Sequence, residues 1–190
     1  MAPSSTPTEI LRDEHNLILK VANHLAGMLA AEKDGVPLDY DTVEKCITFF
    51  RLFADACHHS KEEDLLFPGL EAEGMPQDSG PIAVMLYEHE AGRVYVRSMA
   101  AAIEAARAED DVAGDQLRDA AYGFITLITA HIGKENNILF NMADQLIQDG
   151  DLTQLAESYE TAENEAGYQS TFGGCRDIAD RLMEKYGVSG

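Results

Sequence analysis

The chain has 190 residues, a length that suits one domain with a continuous hydrophobic core. Its 34 acidic and 14 basic residues give a formal net charge of −20, and a surface of that sign repels nucleic-acid phosphates and anionic lipids. No apolar run reaches the roughly 18 residues of a membrane span, and the N-terminus lacks the pattern of a signal peptide. The composition therefore predicts a cytoplasmic protein that binds neither nucleic acid nor membrane.

Helical signals follow one another along the chain. The segment Thr6–Glu9 is typical of a capping box with proline at the first helical position, and apolar residues then recur with a helical period. The predicted helices cover about 7–33, 40–66, 81–108 and 113–148. Pro68 is expected to end the second of them. Four long helices with short connections predict an all-α, up-down-up-down four-helix bundle over residues 1–150.

A C-terminal extension, residues 151–190, follows the bundle. Asp151 is expected to cap a shorter helix, and a glycine pair separates that helix from another over 175–186. We expect these additional helices to pack on the bundle or to mediate self-association, so an oligomer formed through them stays open.

The most informative feature is an internal repeat, in which a single histidine precedes a His-x-x-x-Glu motif by 43 residues in one copy and 42 in the other. The residues are His15, His58 and Glu62 in the first copy, and His89, His131 and Glu135 in the second. The helical rise places all four histidines at one depth of an antiparallel bundle, and a glutamate at i+4 shares the face of its histidine. Four imidazoles and two carboxylates are therefore predicted to converge in an apolar interior.

This set of side chains favours a metal site with two cations. Two buried carboxylates without a partner are costly, and a pair of divalent or trivalent cations removes that cost. Imidazole suits iron, zinc, copper and nickel, and bridging carboxylates favour a dinuclear site. An isolated His-x-x-x-Glu is more often an exposed i,i+4 pair, but the repeat and the common depth argue against that alternative here.

The motifs resemble those of the hemerythrin-like (HHE cation-binding) family over about residues 8–148. The resemblance implies that His15 and His58 serve one iron ion and that His89 and His131 serve the other. It further implies that Glu62 and Glu135 bridge the two irons, together with an oxo or hydroxo group; zinc or manganese are alternative metals. The implied activity is to bind or react with a small ligand, such as dioxygen, peroxide or nitric oxide, in sensing, scavenging or detoxification.

The sequence departs from the family pattern at one place. By the same resemblance, oxygen-carrying members have a further histidine one turn after the third-helix histidine, where this chain has Arg93. His59 is the best substitute as a ligand, although at about 100° from His58 on the helical wheel it could equally face outward. His24 lies on the opposite face of its helix from the ligand histidine and is not expected to bind metal.

The surroundings of the ligands are predicted in less detail. Metal-bound imidazoles commonly need a hydrogen-bond acceptor, and four charged residues are candidates for contacts around the ligands: Glu14, Lys61, Glu88 and Lys134. Glu63 is rotated off the inward face and is expected to be solvated. Gly92, close to His89, is expected to leave room for an open coordination position.

Two other functions remain open. One is iron handling or ferroxidation, although ferritin-like sites contain more carboxylates than this one. The other is an interaction module whose metal pair is structural. If the protein is an enzyme, the expected reaction is di-iron redox chemistry such as peroxide breakdown.

Overall fold

The computed structural model describes residues 5–165, and the predicted helix over 175–186 lies outside them. Five helices account for most of the described chain, and no strand occurs within it. They are α1 (Pro7–Lys33), α2 (40–72), α3 (Gly80–Arg107), α4 (111–146) and α5 (Asp149–Glu165). The predicted all-α bundle is confirmed, and α5 is added to it.

The start of α1 follows from its capping box. The Thr6 hydroxyl accepts a hydrogen bond from the Glu9 N–H, and Glu9 Oε2 accepts one from the Thr6 N–H at 2.7 Å. Two backbone donors at the helix start are satisfied in this way, and Pro7 occupies a position where no donor is needed. Gly35, at φ 88°, turns the chain towards α2 after α1 has ended.

The second helix is longer than predicted, because Pro68 does not end it. Helix α2 continues to residue 72, and the Phe67 N–H bonds to the Glu62 carbonyl five residues back. This π-helical turn is wider than an α-helical turn, so it accommodates the proline ring and its missing N–H. A second correction concerns Asp151: helix α5 begins at Asp149, and Asp151 lies within its first turn.

The buried side chains form two hydrophobic clusters with a polar layer between them. On α1, Leu11 belongs to one cluster and Ile18 to the other, and His15 lies between the two. The same order holds along α2, α3 and α4. It corresponds to the common depth of the histidines that the helical rise predicts.

Helix α5 packs against α1 and α2. Its Tyr159 is 1% exposed, and the Lys61 Nζ lies 5.9 Å from the centre of the phenol ring. Among the helices of residues 5–165, none has the length and apolar character that crossing a membrane requires.

Candidate metal centre

The polar layer contains all six side chains that the repeat predicts as ligands. None of them is more than 2% exposed. They are His15 on α1, His58 and Glu62 on α2, His89 on α3, and His131 and Glu135 on α4. The bundle therefore assembles the set, although the role of each residue as a ligand stays a prediction.

The donor atoms fall into two groups, and within each group they all lie within 4.8 Å of one another. We call them the first half-site (His15, His58, Glu62 and Glu135) and the second half-site (His59, Glu62, His89 and His131). Glu62 belongs to both groups. Glu135 also reaches both, because its Oε2 lies 3.1 Å from the Nε2 atoms of His15 and of His131.

The inward-facing atoms suit a pair of cations. The Nε2 atoms of His15, His58 and His59 have no hydrogen-bond partner, and neither do the four carboxylate oxygens of Glu62 and Glu135. Buried polar atoms without partners are rare in proteins because each one costs free energy. Coordination to two metal ions satisfies these atoms together, and imidazole with carboxylate is a donor set that iron accepts.

The backbone repeats along with the side chains. Each motif glutamate opens a π-helical segment, Glu62–Leu66 in α2 and Glu135–Leu139 in α4. The carbonyls of Glu62 and Glu135 accept hydrogen bonds from the N–H groups of Phe67 and Phe140, five residues on. Short π-helical segments of this kind frequently occur at functional sites.

Two of the histidines donate to the predicted acidic neighbours. The Nδ1 of His58 bonds to Glu14 Oε2 at 2.9 Å, and the Nδ1 of His131 bonds to Glu88 Oε2 at 3.0 Å. The second oxygen of each carboxylate accepts from a lysine: Lys61 bonds to Glu14, and Lys134 bonds to Glu88. These contacts fix the two rings so that the Nε2 lone pairs face the interior.

The other two histidines bond across the repeat. The Nδ1 of His89 donates to Glu63 Oε1 at 2.7 Å, and the Nδ1 of His15 donates to Asn136 Oδ1 at 2.8 Å. The expectation that Glu63 is solvated is therefore wrong, because its carboxylate reaches from α2 to α3. Asn136 was missed, although its position directly after Glu135 matches that of Glu63 after Glu62.

His59 faces the interior, so the outward-facing alternative is wrong. It is 6% exposed, and its ring stacks on that of His89 with 3.8 Å between centroids and 11° between planes. Its Nδ1 lies 3.5 Å from Asp55 Oδ1. His24 lies elsewhere, in the wall of a separate cavity that Asp39 also lines.

Arg93 takes no place among the inward-facing donors. Its Nε donates to Asp55 Oδ1 and its Nη2 donates to Glu63 Oε1, both at 2.8 Å. These are the carboxylates beside His59 and His89. Arg93 thus holds in place the two carboxylates that contact imidazoles of the second half-site.

Burial and mutual charge set the protonation of the centre. Burial lowers the pKa of His58 and of His59 well below the usual value, which favours the neutral imidazole that binds metals. Burial and the nearby Glu135 raise the pKa of Glu62 well above its usual value. Burial also acts to raise the pKa of Glu135, but the imidazoles close to its carboxylate, His131 first, lower it well below the usual value.

A cavity of about 390 Å³ adjoins the second half-site. His59 and Gly92 line it, together with the apolar side chains of Phe50, Val96 and Phe124. The predicted room beside Gly92 is therefore present in the structure. A small molecule in this cavity would contact the second half-site and not the first.

Comparisons with known proteins also indicate a cation-binding domain. The model of the family described as "Hemerythrin HHE cation binding domain" matches residues 6–143. Similar curated proteins include an uncharacterised protein from Mycobacterium bovis and uncharacterised proteins from two strains of Mycobacterium tuberculosis. Each is 26% identical to this chain over 188 residues, which cover 95% of this chain and 71% of the relative. No solved structure matches the chain significantly.

Proposed function

Because this chain belongs to the hemerythrin HHE cation-binding family, we propose that it holds two iron ions which bind or react with a small ligand. The ligands in question are dioxygen, peroxide and nitric oxide, and the role is sensing, scavenging or detoxification. The observation that carries the proposal is the pair of buried donor groups that share Glu62. One metal in each group accounts for every inward-facing atom that has no hydrogen-bond partner.

The assignment of ligands follows the two half-sites. His15 and His58 would hold one iron, His89 and His131 would hold the other, and the carboxylates of Glu62 and Glu135, which reach both half-sites, would be shared between them. His59 is a further ligand of the second iron, because its donor atom lies with those of His89 and His131. When bound, the two iron ions supply redox chemistry and open coordination positions for a small ligand.

The chain's own residues orient the donors and keep water away. Hydrogen bonds from the four Nδ1 atoms to Glu14, Glu63, Glu88 and Asn136 hold each ring in one orientation and one tautomer. The apolar clusters on either side of the polar layer exclude bulk water from it. A dry, rigid donor set of this kind favours a bound metal and a small uncharged or singly charged ligand.

Two observations separate this function from the alternatives. The candidate ligands of this centre are four or five imidazoles and two carboxylates. Ferritin-like iron-handling proteins use a set of ligands that is richer in carboxylates. A purely structural metal pair needs no route from solvent, whereas the cavity lined by His59 gives the second half-site one.

The test is reconstitution with ferrous iron under anaerobic conditions, followed by stopped-flow mixing with dioxygen, hydrogen peroxide or nitric oxide. We expect about two irons per chain by elemental analysis and a rapid change in near-ultraviolet and visible absorption with at least one ligand. The His24→Ala variant is the matched control, since it removes a histidine outside the centre and should behave as the parent protein.

Two results would contradict the proposal. Less than one iron per chain in the parent protein would remove the metal centre. Two irons in place with no spectral change over minutes, for all three ligands, would leave a structural metal pair as the remaining function.

A further inference from the structure

The cavity beside the second half-site is larger than a diatomic ligand or hydrogen peroxide requires. Its volume of about 390 Å³ falls in the range of pockets that hold organic molecules. A water molecule occupies about 30 Å³ in the liquid, so the cavity suits a ligand of roughly ten non-hydrogen atoms. Dioxygen, nitric oxide and hydrogen peroxide would each leave most of this space unfilled.

The walls of the cavity are mainly apolar. Phe50 and Phe124 line it with their ring centroids 4.5 Å apart, and Val96 is a further apolar residue of the wall. Leu52 is 38% exposed, so the cavity reaches solvent on that side, whereas His59, of the second half-site, is 6% exposed. An apolar surface thus leads from solvent to a candidate metal ligand, which favours an organic group over water.

The charged side chains of the wall offset one another. Two of its three arginines are paired with carboxylates: Arg93 with Asp55 and Glu63, both at 2.8 Å, and Arg97 with Glu90 at 2.7 Å. Arg51 is exposed, so water and salt screen its charge. The cavity therefore has no strong field of either sign that would select an ion, and an uncharged ligand fits it best.

Gly92 keeps space open in the same wall. A Cβ at this position would lie 3.8 Å from Leu127 Cδ2 and 3.9 Å from Phe124 Cε2, which are ordinary van der Waals distances. Helix packing therefore does not require a glycine here, although a glycine within a helix costs stability relative to alanine. A longer side chain would fill the part of the cavity next to Phe124, so the glycine leaves room for a ligand.

We propose that this cavity binds the organic group of an uncharged alkyl or aryl hydroperoxide, with the peroxide end at the second half-site. The inference deepens the proposed function, on which it rests for the metals, by naming the class of peroxide. In one turnover the O–O bond breaks, two protons are taken up from solvent, and an alcohol and a water molecule are formed. The two electrons come from the ferrous pair, one from each ion, and both ions become ferric.

Binding to the full-length protein without added iron tests the cavity itself. The probe is cumyl alcohol, the product that cumene hydroperoxide would give, and chemical-shift changes in NMR spectra report its affinity. Gly92→Leu should weaken binding about tenfold, because the leucine side chain occupies the space of the ligand. Leu52→Ser alters an exposed position, so the fold is kept, and it should weaken binding about threefold through lost apolar contact.

Two matched controls make the same changes outside the cavity. Ala100→Leu adds a leucine at an exposed position of α3, and Val112→Ser removes an exposed apolar side chain from α4. Both variants should bind cumyl alcohol as the parent protein does. Equal affinities in Gly92→Leu and Ala100→Leu, together with equal affinities in Leu52→Ser and Val112→Ser, would overturn the inference.

Single-turnover kinetics of the reduced, iron-loaded protein test the reaction. Gly92→Leu should slow the reaction with cumene hydroperoxide about tenfold more than the reaction with hydrogen peroxide, which needs little space. If the parent protein binds no cumyl alcohol and Gly92→Leu slows both peroxides equally, with two irons present, the inference fails and the proposed function stands. Cumyl alcohol bound by a protein that takes up no iron would support the organic cavity and contradict the proposed function.

Discussion

Each half-site of the centre contains two equivalent histidines of the repeat, yet the contacts of these histidines differ. In the first, His15 bonds to the neutral amide of Asn136 and stacks on Phe140, with 5.3 Å between centroids and 6° between planes. In the second, the equivalent His89 bonds to the Glu63 carboxylate and stacks on a further imidazole, that of His59.

In the proposed centre, this difference would give the two metals different roles. A carboxylate partner makes an imidazole a stronger donor than an amide partner does, and the cavity lined by His59 gives the second half-site contact with small molecules. We expect the second metal to meet the external ligand and the first to remain enclosed. In the proposed centre the repeat would supply equivalent ligands, and the residues around them would determine which metal is reactive.

Removal of one motif histidine from each half gives the largest expected effect. His58→Ala and His131→Ala should each lose at least one of the two metals, because each ring is fully buried and no water can replace its donor without rearrangement. Elemental analysis after gel filtration measures the loss. Both metals retained in both variants would mean that these histidines are not ligands.

Removal of His59 should affect the second half alone. His59→Ala should weaken the binding of one metal and shift the visible spectrum of the iron-loaded protein, while the other metal keeps its affinity. Competition with a chelator would show this as one fast and one slow phase of iron release. If His59→Ala and His24→Ala release iron at identical rates, His59 contributes no bond to the metal.

The two lysines make a matched comparison of stability. The side chain of Lys61, which pairs with Glu14, is 3% exposed. The side chain of Lys134, which pairs with Glu88, is 37% exposed. Lys61→Met removes a buried cation and should lower the free energy of unfolding by about 3 kcal/mol. Lys134→Met should cost less than about 1 kcal/mol, because solvent screens that pair. Urea titrations of both variants measure the difference, and equal losses would contradict the assigned burial.

The smallest expected effect comes from the partners of His15 and His89. Glu63→Gln should weaken the binding of one metal about tenfold, because it replaces a carboxylate partner of an imidazole with an amide. Asn136 is already such an amide partner in the first half-site. Asn136→Asp should strengthen the binding of the other metal by a similar factor. Metal titrations on the two variants and on the double exchange test this; shifts of the same sign in both would show that the half-sites are not distinguished by these residues.

Four long helices with short connections were sufficient to predict the bundle, and the repeat was sufficient to predict the meeting of six side chains, since the helical rise and the i+4 spacing fix depth and face. The position of Glu63 could not be predicted in the same way. A helical wheel assumes α-helical turns, whereas Glu63 lies in a π-helical segment with more residues per turn. His59 likewise lies in a π-helical stretch, Phe50–His59, which no pattern in the sequence predicted. Its burial could therefore not be predicted from a helical wheel.

Tyr159 extends the surroundings of the centre beyond the segment that the family model matches, which ends at residue 143. Its phenol is buried beside Lys61, and burial, followed by the charges of Glu62 and Glu14, raises its pKa well above the usual value. The buried ring excludes water and lowers the local dielectric constant around the Glu14–Lys61 pair. The ion pair is therefore stronger than it would be in water. A fragment ending at residue 148 would keep every predicted ligand, but water would reach Glu14, the carboxylate that holds the Nδ1 of His58.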